Sequence, residues 1–345
     1  MPDQNKEELS TEKLVSGVLQ AIDREREREI ISRRFGLFER RETLEQIGEL
    51  LGITRERVRQ LEKAVIQKLR VAGDNHKIAG IDDFQILAIA QLESHGKVIR
   101  VSDLANNLVN EFNRTEQSRI AFLCSLCPDL IVVADDDNYH ACVSSKELYN
   151  EKQLKESISN IASIVSKIGE PKLIDFIAKQ AGIGDKKQAQ ALASSSKLLT
   201  SLNNQWGLVK WPLVNPKNIR DKIYVILKEN KRHMHFNEIS ASIKDSDFKR
   251  KDVTTQAIHN ELIKDKRFVL IGRGIYALRE WGYEKGTVAD IISNVLREAQ
   301  QPLHRDEIVK RVLESRFVKE TTILLNLQGK PQFKRVAKAT YELAE

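Results

Sequence analysis

The sequence predicts a mainly α-helical chain: an N-terminal helix-turn-helix followed by tandem repeats, each of three helices and a β-hairpin. Two observations carry this. Apolar residues recur at helical spacing on both sides of Gly52, and an aromatic-x-Leu mark returns at intervals of 65 to 70 residues. A chain of 345 residues, 41% hydrophobic and 30% charged, has room for several domains of ordinary size.

The first helix of the pair is Leu44 to Leu51, where Leu44, Ile47, Leu50 and Leu51 fall on one side and Gly52 follows as a left-handed end. Thr54 then stands as an N-cap. The helix after it turns Val58, Leu61, Val65 and Leu69 inward and leaves Arg55, Glu56, Arg59, Gln60 and Lys63 on other faces. These side-chain types can read a major groove, since arginine matches guanine, glutamine matches adenine and glutamate accepts from the cytosine amine. Each good contact discriminates by about 1–3 kcal/mol. From Ile53 to Arg70 there are six basic residues against two acidic ones, an excess that attracts phosphate. The plainer reading is a solvated helix face laced by pairs such as Glu56 with Arg59.

Three runs carry a family likeness: Arg26 through Leu37, Thr43-Leu44-Glu45-Gln46-Ile47-Gly48, and Thr54 through Glu62 with Lys68-Leu69-Arg70 after it. Together they resemble region 4 of sigma-70 family factors, over roughly residues 10 to 76. The resemblance implies that the second helix reads an upstream promoter element and that preceding helices dock on the flap of the polymerase β subunit. By position it makes Arg55, Glu56, Arg59 and Gln60 the base readers. Thr54 and Arg57 become phosphate contacts, and Ile30, Ile31 and Phe35 the packing or flap-side candidates; the basic excess of the same helix adds Lys63, Lys68 and Arg70 to the expected phosphate contacts. Only about 23 residues precede the arginine-rich start, so a self-sufficient sigma factor is not expected. The loop Phe38-Glu39-Arg40-Arg41-Glu42 lacks a glycine and leaves the local helix spacing open.

No apolar run approaches the roughly 18 residues of a membrane span, and the N-terminus lacks an apolar signal core, so a cytoplasmic protein is expected, and the sigma-70 resemblance implies a bacterial, nucleoid-associated one. Three cysteines form no paired framework. Cys124, Cys127, His140 and Cys142 could be written as a zinc site, but Cys124 and Cys127 fall at helical spacing with Ile120 and Leu123 and read better as small core residues. His140 and Cys142 would share one face of a strand. Asp135-Asp136-Asp137-Asn138 reads as a turn between strands around 131–133 and 139–141, not as a metal site. Neither a metal nor a cofactor is expected.

The repeat is marked by Trp206, Tyr276 and Tyr341, spaced 70 and 65 residues apart, with Tyr139 standing 67 before Trp206. His235-Phe236-Asn237-Glu238-Ile239 parallels His304-Arg305-Asp306-Glu307-Ile308, with weaker versions at Lys172 to Ile177 and Arg100 to Leu104. Each opens a short helix. Thr254-Thr255 and Thr321-Thr322 then read as caps of the next helices, and Phe268 to Ile271, a turn at Gly272-Arg273-Gly274 and Ile275 to Leu278 make a hairpin. Three helices and a hairpin make a winged helix. The pair Gly272-x-Gly274 is a hairpin turn, with no helix start after it to make a nucleotide loop.

The unit at 217–282 resembles the HARE-type helix-turn-helix, a winged-helix family found in the polymerase delta subunit. Phe236 to Ile239, Thr254-Thr255 and Gly274 through Trp281 carry the likeness. The expected domains are 1–76, 81–150, 151–216, 217–282 and 283–345, with short junctions near 214–216 and 283–286 and a hinge between Gly73 and Gly80.

Charge separates the copies. Residues 81–150 hold five basic and eleven acidic side chains, whereas 217–280 hold fifteen and nine. The first suits a protein surface, and the third can meet phosphate through Lys249, Arg250, Lys251 and Arg273. Two functions follow: a DNA-binding transcription factor that contacts RNA polymerase, or an accessory polymerase subunit that docks without reading bases. No nucleophile with its base, no phosphate loop and no strong metal spacing points to an enzyme, a small-molecule substrate or a membrane partner.

Overall fold

Capping residues set the ends of the first four helices. In the computed structural model, which describes residues 10–248, 250, 252–283 and 285–344, Ser10 caps α1 (Thr11–Gln20), and α2 (Glu25–Phe35) ends at Gly36. A capping box of Thr43 and Gln46 opens α3 (Leu44–Leu51), which Gly52 closes at φ 62°, a left-handed conformation that glycine takes without steric cost. Thr54 caps α4 (Arg55–Asp74).

The two halves of α4 serve different cores. Val58 packs with Ile30 and Ile47 in a small cluster bordered by Leu44, Leu51, Ile53 and Leu61. Two turns later Val65 and Leu69 enter a larger cluster shared with α1, α2 and the elements that follow.

Those elements are α5 (Ile81–Ser94), β1 (Val98–Arg100), α6 (Val101–Leu108), α7 (Arg114–Leu126), β2 (Leu130–Val133) and β3 (Cys142–Ser145). The order helix, strand, helix, helix, strand, strand then returns three times. The second copy has α8 (Glu151–Ile168), β4 (Lys172–Leu173), α9 (Ile174–Gln180), α10 (Lys186–Ser195), β5 (Leu199–Leu202) and β6 (Gln205–Leu208). The third has α11 (Ile219–Asn230), β7 (Met234–His235), α12 (Phe236–Asp245), α13 (Thr255–Lys264), β8 (Phe268–Gly272) and β9 (Ile275–Leu278), closed by a 3-10 turn at Arg279–Trp281. The fourth has α14 (Val288–Ala299), β10 (Leu303–His304), α15 (Arg305–Ser315), α16 (Glu320–Gly329), β11 (Phe333–Ala337) and β12 (Thr340–Leu343).

Each copy folds its strands into a three-stranded antiparallel sheet with the last strand in the middle, as in β1-β3-β2 and β7-β9-β8. The expected two-stranded hairpin is therefore short by one strand. The additional strands are two or three residues long and carry no alternation that a sequence pattern could reveal.

Register also corrects the first mark of the repeat. Trp206, Tyr276 and Tyr341 lie on the central strands opposite Lys172, Met234 and Leu303, each one pair away from the residue that caps the following helix. In the first copy Arg100 caps α6 and pairs with Cys142, so the equivalent position is Val143. Tyr139 instead makes an isolated bridge to Ser196, and the strand expected at 139–141 begins only at Cys142. Thr254 caps α13, but Thr321 and Thr322 lie inside α16, whose cap position is Lys319.

The chain divides into two compact units, Met1–Lys210 and Trp211–Glu345. Within the first, the expected hinge is a packed crossing. A Cβ on Gly73 would come 2.4 Å from the Leu126 carbonyl oxygen, so the glycine serves close approach of α4 to α7, not flexibility. Ile78 and Ile81, further along the same stretch, are buried in the large cluster. Arg119 on α7 is also buried. It donates to the Leu37 carbonyl at 2.7 Å and to Glu116 at 2.7 Å, and meets Glu12 at 3.2 Å, which ties α7 to the helix-turn-helix. The first and second copies are joined by backbone bonds, with the His140 N–H donating to Ser195 at 2.9 Å and the Lys197 N–H donating to Asn138 at 2.8 Å. Among the described residues no helix is long and apolar enough to cross a membrane.

Candidate nucleic-acid interface

Helical periodicity puts Val58, Val65 and Leu69 inside, so Thr54, Arg55, Glu56, Arg57, Arg59, Gln60, Lys63 and Lys68 remain exposed along α4. All four residues matched to base readers, Arg55, Glu56, Arg59 and Gln60, thus lie within the first two turns of one helix. The cap at Thr54 fixes where that helix starts, accepting from the Arg57 N–H at 3.2 Å.

The exposed side chains are already paired with one another. Arg59 grips Glu56 through two bonds, Nε at 2.8 Å and Nη2 at 2.7 Å. Gln60 donates to Glu56 at 3.5 Å, Arg57 donates to the Gln60 oxygen at 3.3 Å, and Arg55 reaches Glu45 on α3 at 3.4 Å. The Arg59 bond holds the Glu56 carboxyl below the usual carboxylate range, and Glu56 in turn raises Arg59. Exposed pairs of this kind contribute little to stability, so their donors and acceptors can be exchanged for base edges or phosphates at small cost. Paired to each other, they hold the side chains near one face of the helix.

Other expected residues are placed differently. Arg70 turns its Nε onto the Ser125 carbonyl of α7 at 3.2 Å, which joins it to the α4–α7 crossing. Ile30 and Ile31 have no exposed surface, and Phe35 is half-buried with its ring 5.1 Å from that of Phe122. Packing is therefore what these three do here, and Ile30 and Ile31 offer no surface to a polymerase flap. Glu45 was not among the expected residues. It stands on the neighbouring helix, and nothing in its local pattern separates it from a solvated surface glutamate.

In the second basic set, Arg273 is exposed at the tip of the β8–β9 hairpin. Arg250 is exposed too, and its carbonyl accepts from Lys222 Nζ at 2.6 Å. Lys249 and Lys251 lie outside the described residues.

Cys124, Cys127 and Cys142 are buried, and desolvation pushes the Cys127 and Cys142 thiols up to about 12. His140 is partly exposed, and no group of three or more His, Cys, Asp or Glu side chains among the described residues is arranged to hold a metal. Asp136 accepts from the N–H groups of Asn138 and Tyr139 at 2.8 and 2.9 Å, which makes this acidic run a turn.

Residues 24–71 match the family model for Sigma-70, region 4. RNA polymerase sigma factor RpoD of Helicobacter pylori is 50% identical over 58 residues, 16% of this chain and 8% of that protein. RNA polymerase sigma factor SigA1 of Synechococcus elongatus is 46% identical over 57 residues, covering 16% and 14%. RNA polymerase sigma factor sigB of Arabidopsis thaliana is 48% identical over 46 residues, covering 13% and 8%. The chain thus spans only 8% to 14% of the length of these relatives. It carries a sigma-70 region 4 domain, a helix-turn-helix of DNA-binding and transcription-related type, and most of its length lies outside that match.

Proposed function

We propose that this protein is a sequence-specific DNA-binding transcription factor of region 4 type, which reads a promoter upstream element through α4 and contacts RNA polymerase without the sigma domains that open promoters. The observation that carries this reading is the exposed set Arg55, Glu56, Arg59 and Gln60 at the capped start of α4, within residues matching region 4. The relatives are RNA polymerase sigma factors, which supports polymerase as the protein partner. Because Ile30 and Ile31 are buried, the polymerase contact is assigned to the exposed remainder of 24–71 and not to these side chains.

The four copies after it are winged-helix repeats in this reading, that at 217–282 of HARE type, supported by their shared order of three helices and a three-stranded sheet. They act as binding modules, and the chain performs no catalysis. The acidic copy at 81–150 serves protein contact, and the basic copy at 217–282 meets DNA.

Selection of bound sequences from a random duplex pool by the full chain, at near-physiological salt, tests the proposal. The expected result is enrichment of a single motif that collapses in an Arg55→Ala, Gln60→Ala double variant, with each lost contact worth about 1–3 kcal/mol of discrimination. Lys68→Ala should instead weaken binding to all sequences alike and lower the salt slope by about one. Absence of enrichment from the unaltered chain would move the reading to an accessory polymerase subunit that docks without reading bases.

A further inference from the structure

The second unit holds a cavity of about 550 Å³ where its two copies meet, a volume in the range of small-molecule sites. Leu262, Ile263, Phe268 and Leu270 of the third copy and Val288 and Val318 of the fourth supply a mostly apolar wall. Three cations also line it, Arg273, Lys285 and Arg316, and no acidic side chain among the described residues does.

Arg316 sets this cavity apart from an ordinary surface groove. It is only 6% exposed, and it donates to the Leu270 carbonyl through Nη1 and to the Gly286 carbonyl through Nη2. Its Nε is buried and has no hydrogen-bond partner among the described residues. The nearby Asp290 carboxylate is committed elsewhere, accepting from the Thr287 N–H at 2.7 Å and from its hydroxyl at 2.8 Å as the cap of α14. A guanidinium stays charged at neutral pH; Asp290 attracts it electrostatically but makes no hydrogen bond to it, and the two carbonyls leave its Nε without an acceptor among the described residues. Lys285 and Arg273 are exposed, so they form a cationic rim around this deeper group.

We propose that the cavity binds a small amphipathic monoanion, a medium-chain carboxylate, with its chain against Leu262, Ile263, Leu270 and Val318 and its head on Arg316. This site is independent of the DNA-reading face of α4, because it lies wholly within Trp211–Glu345. Ligand binding there would bridge the third and fourth copies, which already share the bond from the Phe317 N–H to the Ile271 carbonyl at 3.0 Å.

Equilibrium dialysis of the full chain against radiolabelled dodecanoate, with dodecanol as the uncharged control, tests the inference. Saturable uptake of one dodecanoate per chain is expected, with dodecanol at least tenfold weaker. Arg316→Met should cut dodecanoate affinity at least tenfold. Since that variant could loosen the join between the copies, Ile263→Glu provides a second arm: Ile263 is 59% exposed, so the fold should tolerate a carboxylate that repels the ligand. Lack of saturable uptake, equal binding of dodecanol, or undiminished binding by a folded Ile263→Glu variant would each overturn the proposal.

Discussion

The first and third copies of the repeat have the same order of helices and strands and the same sheet topology, yet they are set up for opposite surroundings. The first carries a net of minus six across 81–150 and shares its core with the helix-turn-helix, through Arg119, Gly73 and the large apolar cluster. The third carries a net of plus six across 217–280 and keeps Arg273 exposed at its hairpin tip. Topology alone therefore says little about what each copy touches; charge and the identity of the buried neighbours decide it.

The strongest way to break this comparison is to test whether the first copy is truly fused to the helix-turn-helix. In α1, Gly17 is exposed with nothing within 4 Å of a built Cβ, so Gly17→Ala should follow the usual helix preference and stabilise by about 0.5–1 kcal/mol. Gly73→Ala should do the opposite. Its Cβ would overlap the Leu126 carbonyl, a backbone atom that no rotamer change can move, and the expected cost is about 1–3 kcal/mol. Guanidinium unfolding of both variants reads the two signs, and a stabilising Gly73→Ala would restore the hinge.

That glycine also shows what the sequence could convey. The turn of the helix-turn-helix was legible: Gly52 and Thr54 are local signals, and they act within a turn of where they stand. The starts of the second helices after His235 and His304 rest on equally local caps, whereas those after Arg100 and Leu173 have no side-chain cap and were legible through the repeat. Gly73 was read as a hinge because its role depends on α7, more than fifty residues away, and a glycine needed for close approach looks the same in sequence as one needed for freedom. For Ile30 and Ile31 the sequence left packing and flap contact open, because their partners come from several helices, and Arg316 was hidden for the same reason, its environment being assembled from the 270 and 286 neighbourhoods.

The charge half of the comparison can be sharpened with smaller effects. Arg273→Glu in the full chain should lower affinity for non-specific duplex DNA several-fold at low salt and reduce the dependence of log K on log salt by about one, measured by fluorescence anisotropy across a salt series. Asp137→Asn in the first copy should leave both quantities unchanged. If Asp137→Asn instead raises affinity by a comparable amount per unit charge, long-range net charge is responsible and the third copy has no phosphate contact at Arg273.

The smallest expected effect probes the joining stretch itself. His76 Nδ1 lies 2.8 Å from Asp82 Oδ1, and that hydrogen bond raises the histidine pKa above its ordinary value of 6.5. A folded-state pKa above the unfolded one means that the pair stabilises the fold fully below the ordinary histidine pKa and that this contribution is lost as pH rises through the folded value. Both groups are exposed, so the change in stability is slight and NMR titration of the ring is the sensitive measurement. Asp82→Asn should return His76 toward 6.5. A flexible joint would leave the histidine at its ordinary value in both proteins, because a bond of this length persists only where the chain between Gly73 and Ile81 keeps one conformation. His76 therefore reports, from the solvent side, on the same packing that Gly73 reports from within.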